Sequence, residues 1–229
     1  SSSAASDVYK RQMFPYTSAG PIVRYTDIET QLKQRTINIS KFGIGAELFV
    51  KGLAKKVLLA DNLSVLYSSI CGHPQMSVFT SWLGILAYTM QLYFDFSGYS
   101  DMAIGLGKML GFDFNKNFDY PYISTSVSEF WRRWHISLGS WFRDYIYIPL
   151  GGNRVSTLKH IRNILVVWAL TGLWHGASWN FVLWGVYYGL FLLLEKFVLQ
   201  KYLKKIPSWL CTVYTLSLIH ISEPTRPRL

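Results

Sequence analysis

The sequence predicts an all-α, multi-pass membrane protein, and three observations carry that prediction. Residues 164–194, ILVVWALTGLWHGASWNFVLWGVYYGLFLLL, run for thirty-one positions without Asp, Glu, Lys or Arg and with a single histidine, His175. One helix needs roughly 20 apolar residues to cross a bilayer, and GASWN at 176–180 is a natural break, so two spans meeting near His175 are expected. Half of the residues are hydrophobic, 17% are aromatic and 16% are charged, with nine Trp, a balance that suits membrane-interface belts. The formal charge of +10 falls in clusters (Lys51/Lys55/Lys56, Arg154/Lys159/Arg162, Lys201/Lys204/Lys205) beside apolar runs. Such clusters suit anionic lipid headgroups at a cytoplasmic face. Nucleic acid is the weaker explanation and no such partner is expected, because long apolar runs interrupt the basic residues and no nucleic-acid motif accompanies them. Cys71 and Cys211 stand alone, without the spacing of a disulfide framework or a zinc site.

The two ends read differently from the centre. SSSAASDVYKRQ at 1–12 and SLIHISEPTRPRL at 217–229 resemble translated adaptor sequence, and both are expected to be foreign, irregular tails around a central membrane domain at 13–216. FPYTSAGPIVR at 14–24 has two prolines and a glycine and predicts a turn-rich connection at the membrane surface. Thr26 or Asp27 is then a plausible N-cap for a short surface helix. From Phe42 to Ile70 apolar residues recur at helical spacing around the basic face of Lys51, Lys55 and Lys56, a pattern for a tilted or interfacial helix.

Val78 to Phe94 is uncharged and, with some thinning of the bilayer, long enough to cross it. Asp95 and Asp101 follow, flanking FSGYS. They either mark the polar end of a span or cap a helix through Gly105 to Leu110, or else face a polar cavity with Tyr93 and Tyr99. GFDFNKNFDYPYIS at 111–124 is rich in Asn, Asp, Gly and Pro and predicts a loop. Ser126 and Glu129 form an S-x-x-E capping box that opens a helix carrying a broad aromatic stripe. Arg132, Arg133, Arg143 and Asp144 make it too charged to span freely, so it is expected at the interface or re-entering against other helices. Pro149 ends it. LGGNR at 150–154 lacks the P-loop spacing and predicts a tight turn. His160, between Lys159 and Arg162, is expected to face headgroups. The Lys-bearing segment after Glu195 reads as a return to the cytoplasmic side, and SWLCTVYTL at 208–216 as the start of another span.

Two of the five histidines, His135 in WRRWH and His175 in GLWHG, sit in Trp-flanked apolar settings. An imidazole poised between neutral and charged forms is the usual group for taking a proton from a hydroxyl near neutral pH. Their spacing fits no zinc motif, and no GxSxG supports a nucleophilic serine. A membrane transporter using the histidines with Asp95 or Asp101 as a proton relay rests on the same residues, and a purely structural anchor is the bland reading.

FPYTSAGPIVR, QLYFDFSGYSDMAIG, FDFNKNFDYPYIS, SEFWRRWHISLGSWFRDYIYIPLGGNR and TGLWHGASWNFVLWG, in this order, resemble the membrane-bound O-acyltransferase (MBOAT) family, and within it the alginate O-acetylation branch. The resemblance covers about residues 13–216. It implies helices around a central funnel or tunnel in the bacterial inner membrane, His175 as general base and His135 as the second histidine that orients the acyl group or relays the proton. Asp95, Asp101, Trp131, Arg133 and Asn180 become pocket candidates. The implied donor is an acyl thioester, acetyl-coenzyme A or a carrier-protein thioester, with no bound cofactor and no metal. The implied acceptor is a hydroxyl of an extracytoplasmic polysaccharide such as alginate, reached with an extracytoplasmic acetyltransferase partner. D-alanyl transfer to teichoic acid is the alternative within the family. Because family members are longer, helices are expected to be missing at both ends and the fragment alone to be inactive.

Overall fold

A computed structural model describes residues 20–34, 36–73 and 76–221, with side chains described to residue 219. The expected N-terminal tail, residues 14–19 of the turn-rich segment, and the chain from 222 onward lie outside the described residues. Every regular element among the described residues is helical, with no strand. The chain divides into two compact units, residues 1–117 and 118–229.

The first unit opens with α1 (Tyr25–Gln34), where Asp27 lies in the first turn and its carboxylate accepts from the Arg24 N–H at 3.2 Å. Asn38 caps α2 (Ile39–Ala54) by accepting from Lys41 N–H at 2.8 Å. A wider π-type turn, Lys55–Ala60, continues it into α3 (Asp61–Cys71), so the helix expected over 42–70 is present with a local widening at its basic face. Ser77 caps α4 (Val78–Met109), a single helix of 32 residues. It passes through FSGYS without a break, so Asp95 and Asp101 lie inside one helix and cap no second one. Their carboxylates bond lysines: Asp101 Oδ2 takes Lys55 Nζ at 2.6 Å and Asp95 Oδ1 takes Lys56 Nζ at 2.8 Å.

Those bonds form because α2 and α4 touch backbone to backbone. A Cβ on Gly52 would lie 2.5 Å from Gly98 O, and one on Gly105 would lie 2.6 Å from Gly45 O. Small residues permit this approach, the packing that helices use where lipid removes the hydrophobic incentive to associate. Beyond α4, Gly111 at φ +88° turns the chain into the expected loop. There Asp113 joins three elements, bonding Gln31 through its backbone N–H (2.7 Å) and C=O (3.0 Å) and Lys41 through its carboxylate (2.7 Å). Lys41, and to a lesser degree Lys108, holds the Asp113 carboxyl below the usual carboxylate range.

The second unit contains α5 (Val127–Arg133), α6 (Ile136–Phe142), a π-type turn (Arg143–Tyr147), α7 (Thr157–His175), α8 (Trp179–Leu194), a further π-type turn (Glu195–Leu199), α9 (Gln200–Leu203) and α10 (Ser208–Ile221). The break expected in the long apolar run falls at Gly176–Ser178. Among the described residues only Trp179–Leu203 is both long and apolar enough to cross a membrane, whereas Lys159 and Arg162 weight the start of α7. Helical structure runs through Glu195 to Leu203, and the chain turns at Lys204–Pro207, at the end of the Lys-bearing segment. The last helix reaches Ile221, which makes residues 217–221 helical where irregular chain was expected. The Tyr188 hydroxyl donates to Ile219 O at 3.1 Å.

LGGNR is a tight turn, as expected: Gly151 and Gly152 take φ of +99° and +56°, and Gly152 N–H donates to Tyr147 O at 2.9 Å. Asn163, fully buried, seals it by donating to Leu150 O and Gly152 O. His160 does not face headgroups. It is 6% exposed, with Tyr147 Oη at 3.0 Å and Lys196 Nζ at 3.2 Å from its Nε2. Its place on the inner face of α7, one turn from Asn163, overrides its basic sequence neighbours.

Candidate active site

The helix expected to run unbroken from Ser126 is interrupted, and the interruption is His135. Ser126 Oγ accepts from Glu129 N–H at 3.0 Å, the forward half of the capping box, while the Glu129 carboxylate reaches back to Thr125 N–H and Oγ at 2.9 Å each rather than to Ser126 N–H. Glu129 also receives Arg133 Nε at 3.0 Å, and Arg133 donates to Asp119 O at 3.1 Å. Arg133 therefore ties α5 to the preceding loop. After it the chain turns, and His135 adopts φ 46°, ψ 55°, in the left-handed region.

A non-glycine residue held there costs on the order of 1–3 kcal/mol and persists only where its surroundings over-determine it. The His135 ring is 6% exposed, with Ser137 Oγ 3.4 Å from Nδ1. Burial, and after it the charge of His175, pushes the imidazole well below its ordinary pKa. His135 lies between two seven-residue helices, each too short to span, and its neutral ring keeps one nitrogen as an acceptor.

His175 closes α7 at the other side of this arrangement. The Trp174 ring meets both imidazoles edge-on or nearly so, with centroids 5.9 Å from His135 and 5.0 Å from His175. Trp184 of α8 also packs against His175, at 5.0 Å. Trp131 of α5 in turn lies 5.8 Å from Trp184, 5.0 Å from Trp168 and 4.9 Å from Tyr188. The result is one wall of rings joining three helices, with His175 on its exposed rim and His135 buried behind Trp174. His175's ring nitrogens have no hydrogen-bond partner among the described residues. Such a ring is held in place by its faces while its nitrogens stay available to a reacting hydroxyl.

The α7–α8 approach that builds the wall depends on glycine again. A Cβ at Gly172 would collide with Phe181 O, and one at Gly185 with Trp168 O. Asn180 lies in the first turn of α8, exposed, on the helix that carries Trp184. Trp131 is in the wall, and Arg133 supports it from the loop side. Asp95 and Asp101 belong to the first unit, where each already bonds a lysine.

A family model described as membrane-bound O-acyltransferase matches residues 11–209. The chain belongs to the membrane-bound O-acyltransferase family. It is 51% identical over 184 residues to a probable alginate O-acetylase of Azotobacter vinelandii, a match covering 80% of this chain and 37% of that protein. It is 39% identical over 211 residues to a peptidoglycan O-acetyltransferase of Helicobacter pylori, covering 87% and 40%. It is 31% identical over 212 residues to a teichoic acid D-alanyltransferase of Bacillus subtilis, covering 84% and 51%. The chain thus spans less than half the length of the alginate-type relatives it matches. All seven site residues named above from the sequence lie inside the part that matches the membrane-bound O-acyltransferase model.

Several members of the wall escaped sequence reasoning. Trp184 and Tyr188 stand at i, i+4 on α8 and so share a face, which was a legible signal. That Trp168 and Trp131 meet them from two other helices was not. Glu195 was read only as the end of an apolar run, yet it is 3% exposed and bonds the start of α5.

Proposed function

We propose that this chain is the reactive part of a multi-pass inner-membrane O-acetyltransferase that moves an acetyl group from a thioester toward hydroxyls of an extracytoplasmic polysaccharide, alginate being the favoured acceptor. The single observation that carries the reading is the Trp174 ring lying against both His135 and His175 in a chain of this family. The identity to alginate-type relatives, well above that to the D-alanyl transfer relative, supports the choice of acceptor.

The chemistry follows from the positions of the rings. A neutral His175 accepts the proton of the acceptor hydroxyl as its oxygen bonds to the thioester carbonyl carbon, giving a tetrahedral oxyanion. Collapse of that intermediate breaks the C–S bond, and the imidazolium returns its proton to the departing thiolate. The products are an O-ester and a free thiol. His135, buried and neutral, orients the acyl group or passes the proton. Enclosure of the exposed rim in the whole protein excludes water, which would otherwise take the place of the acceptor hydroxyl. In the whole protein the helices enclose a tunnel that admits donor and acceptor, and a separate extracytoplasmic acetyltransferase completes delivery to the polymer.

The test uses the full-length parent expressed with its genomic neighbours. Polysaccharide-bound acetyl ester is measured for wild type, His175→Ala and His135→Ala, with membrane abundance checked for each. Ester lost in both variants at wild-type abundance supports the reading; wild-type ester in His175→Ala overturns it. Incorporation of D-alanine in place of acetate would move the acceptor to teichoic acid.

A further inference from the structure

Glu195 is the only acidic residue in Trp179–Leu203, the helical stretch long and apolar enough to cross a membrane, and it is 3% exposed. A carboxylate in that position is unfavourable unless its oxygens are satisfied. They are satisfied by another helix. Oε1 accepts from Val127 N–H at 2.7 Å, and Oε2 accepts from Ser128 N–H and from the Ser128 hydroxyl at 3.0 Å each. These N–H groups open α5 and have no acceptor within their own helix. With Ser126 serving Glu129 N–H, every donor of that first turn is taken by a side chain.

The arrangement does more than close a helix end. Seven residues are too few to fix a helix by its own hydrogen bonds, so α5 points where its anchors hold it. One anchor is Glu195, which sits at the start of a π-type turn that continues α8. The other end of α5 leads straight into Trp134 and the left-handed His135, and its middle delivers Trp131 to the ring wall.

We propose that Glu195 is a positioning residue for acyl transfer: by holding Val127 and Ser128 it sets the register in which α5 presents Trp131 and His135 to the wall around His175. The inference rests on the acyltransferase reading of those histidines. A displacement of about 1 Å at a reacting group costs up to ~100-fold in rate, so loosening this anchor is expected to lower turnover without abolishing donor binding.

The test uses the full-length protein in membranes, with acetyl-coenzyme A and alginate oligosaccharide as probes, and compares wild type, Glu195→Gln and Glu195→Asp. Glu195→Gln keeps the size but turns one of the two accepting oxygens into an NH2, which then opposes either the Val127 N–H or the Ser128 N–H. At wild-type abundance it is expected to lower kcat by ~10- to 100-fold with KM for the thioester within ~2-fold, and to speed carbethoxylation of His135 by diethyl pyrocarbonate several-fold. A kcat within twofold of wild type overturns the proposal, and so does a His135 modification rate equal to wild type. If Glu195→Gln fails to reach the membrane, Glu195→Asp decides: it keeps the charge but draws the carboxylate back by one methylene from both backbone N–H groups, and a wild-type His135 rate in it overturns the proposal. If wild type itself transfers no acetyl group, the functional reading fails. The His135 rate then still reports whether Glu195 holds α5.

Discussion

Two helix pairs in this chain meet through glycine, and they differ in what they place beside the contact. In the first unit α2 and α4 close on Gly45, Gly52, Gly98 and Gly105, and the polar groups next to that seam are paired, Lys55 with Asp101 and Lys56 with Asp95 and Asp61. In the second unit α7 and α8 close on Gly172 and Gly185, and beside that seam stand Trp168, Trp184 and Tyr188, with His175 at its end. Opposite charges at 2.6–2.8 Å occupy one another's hydrogen-bonding groups. An imidazole packed among rings keeps its nitrogens for other partners. The same backbone device therefore supports scaffolding in one unit and, on the proposed reading, chemistry in the other.

The comparison breaks most severely at His175. His175→Ala is expected to lower acetyl-ester formation by the full-length protein by ~10²- to 10⁴-fold at unchanged membrane abundance. The matching change in the first unit, Lys56→Ala, leaves the chemistry intact. Its ion pairs are about half-exposed, so it is expected to cost no more than ~1 kcal/mol of stability.

Glycine replacements sharpen the common part. Gly105→Val and Gly185→Val each press a side chain into a facing backbone and are expected to destabilise by ~1–3 kcal/mol or more, read as a fall in the melting temperature of the detergent-solubilised protein. Gly43→Ala is the control. Nothing lies within 4 Å of its Cβ, so helix propensity alone predicts a gain of ~0.5–1 kcal/mol. Equal losses at Gly43 and Gly105 would show that the seam is not where the structure puts it.

His135→Gly separates strain from function. Glycine enters the left-handed region freely, so His135→Gly is expected to be ~1–2 kcal/mol more stable than His135→Ala, which has lost the same buried ring, with ester formation equally low in both. A glycine variant that is both less stable and active would remove His135 from the site.

The smallest expected effect is electrostatic. Lys41 holds the Asp113 carboxyl below its ordinary range, so this pair stabilises the folded state above the unfolded value, ~4. That contribution is lost as pH falls through the lower folded value. Thermal unfolding followed downward from neutral pH should therefore converge for wild type and Asp113→Asn at the acid end. Curves that stay parallel throughout would remove the pair from the account.

By itself the sequence determined the helical class, the break at Gly176–Ser178, the glycine turn at 150–154, the loop at 111–124 and both histidines. Each is written locally, in an uncharged run, a turn composition or a flanking tryptophan pair. Tertiary structure decided the rest. Asp95 and Asp101 look alike from the sequence whether they cap, line a cavity or pair with lysine; only the glycine seam, by bringing α2 to within backbone contact, gives them Lys56 and Lys55. His160 reads as a surface residue among cations until α7 turns it inward to Tyr147 and Lys196. The WRRWH stripe suggests a continuous helix, because periodicity records which residues are apolar and carries no sign of φ. The left-handed step falls where the buried His135 ring meets Trp174 from another helix. Glu195 is the clearest instance: sixty-eight residues separate it from Val127, and no local pattern can announce a hydrogen bond across that distance.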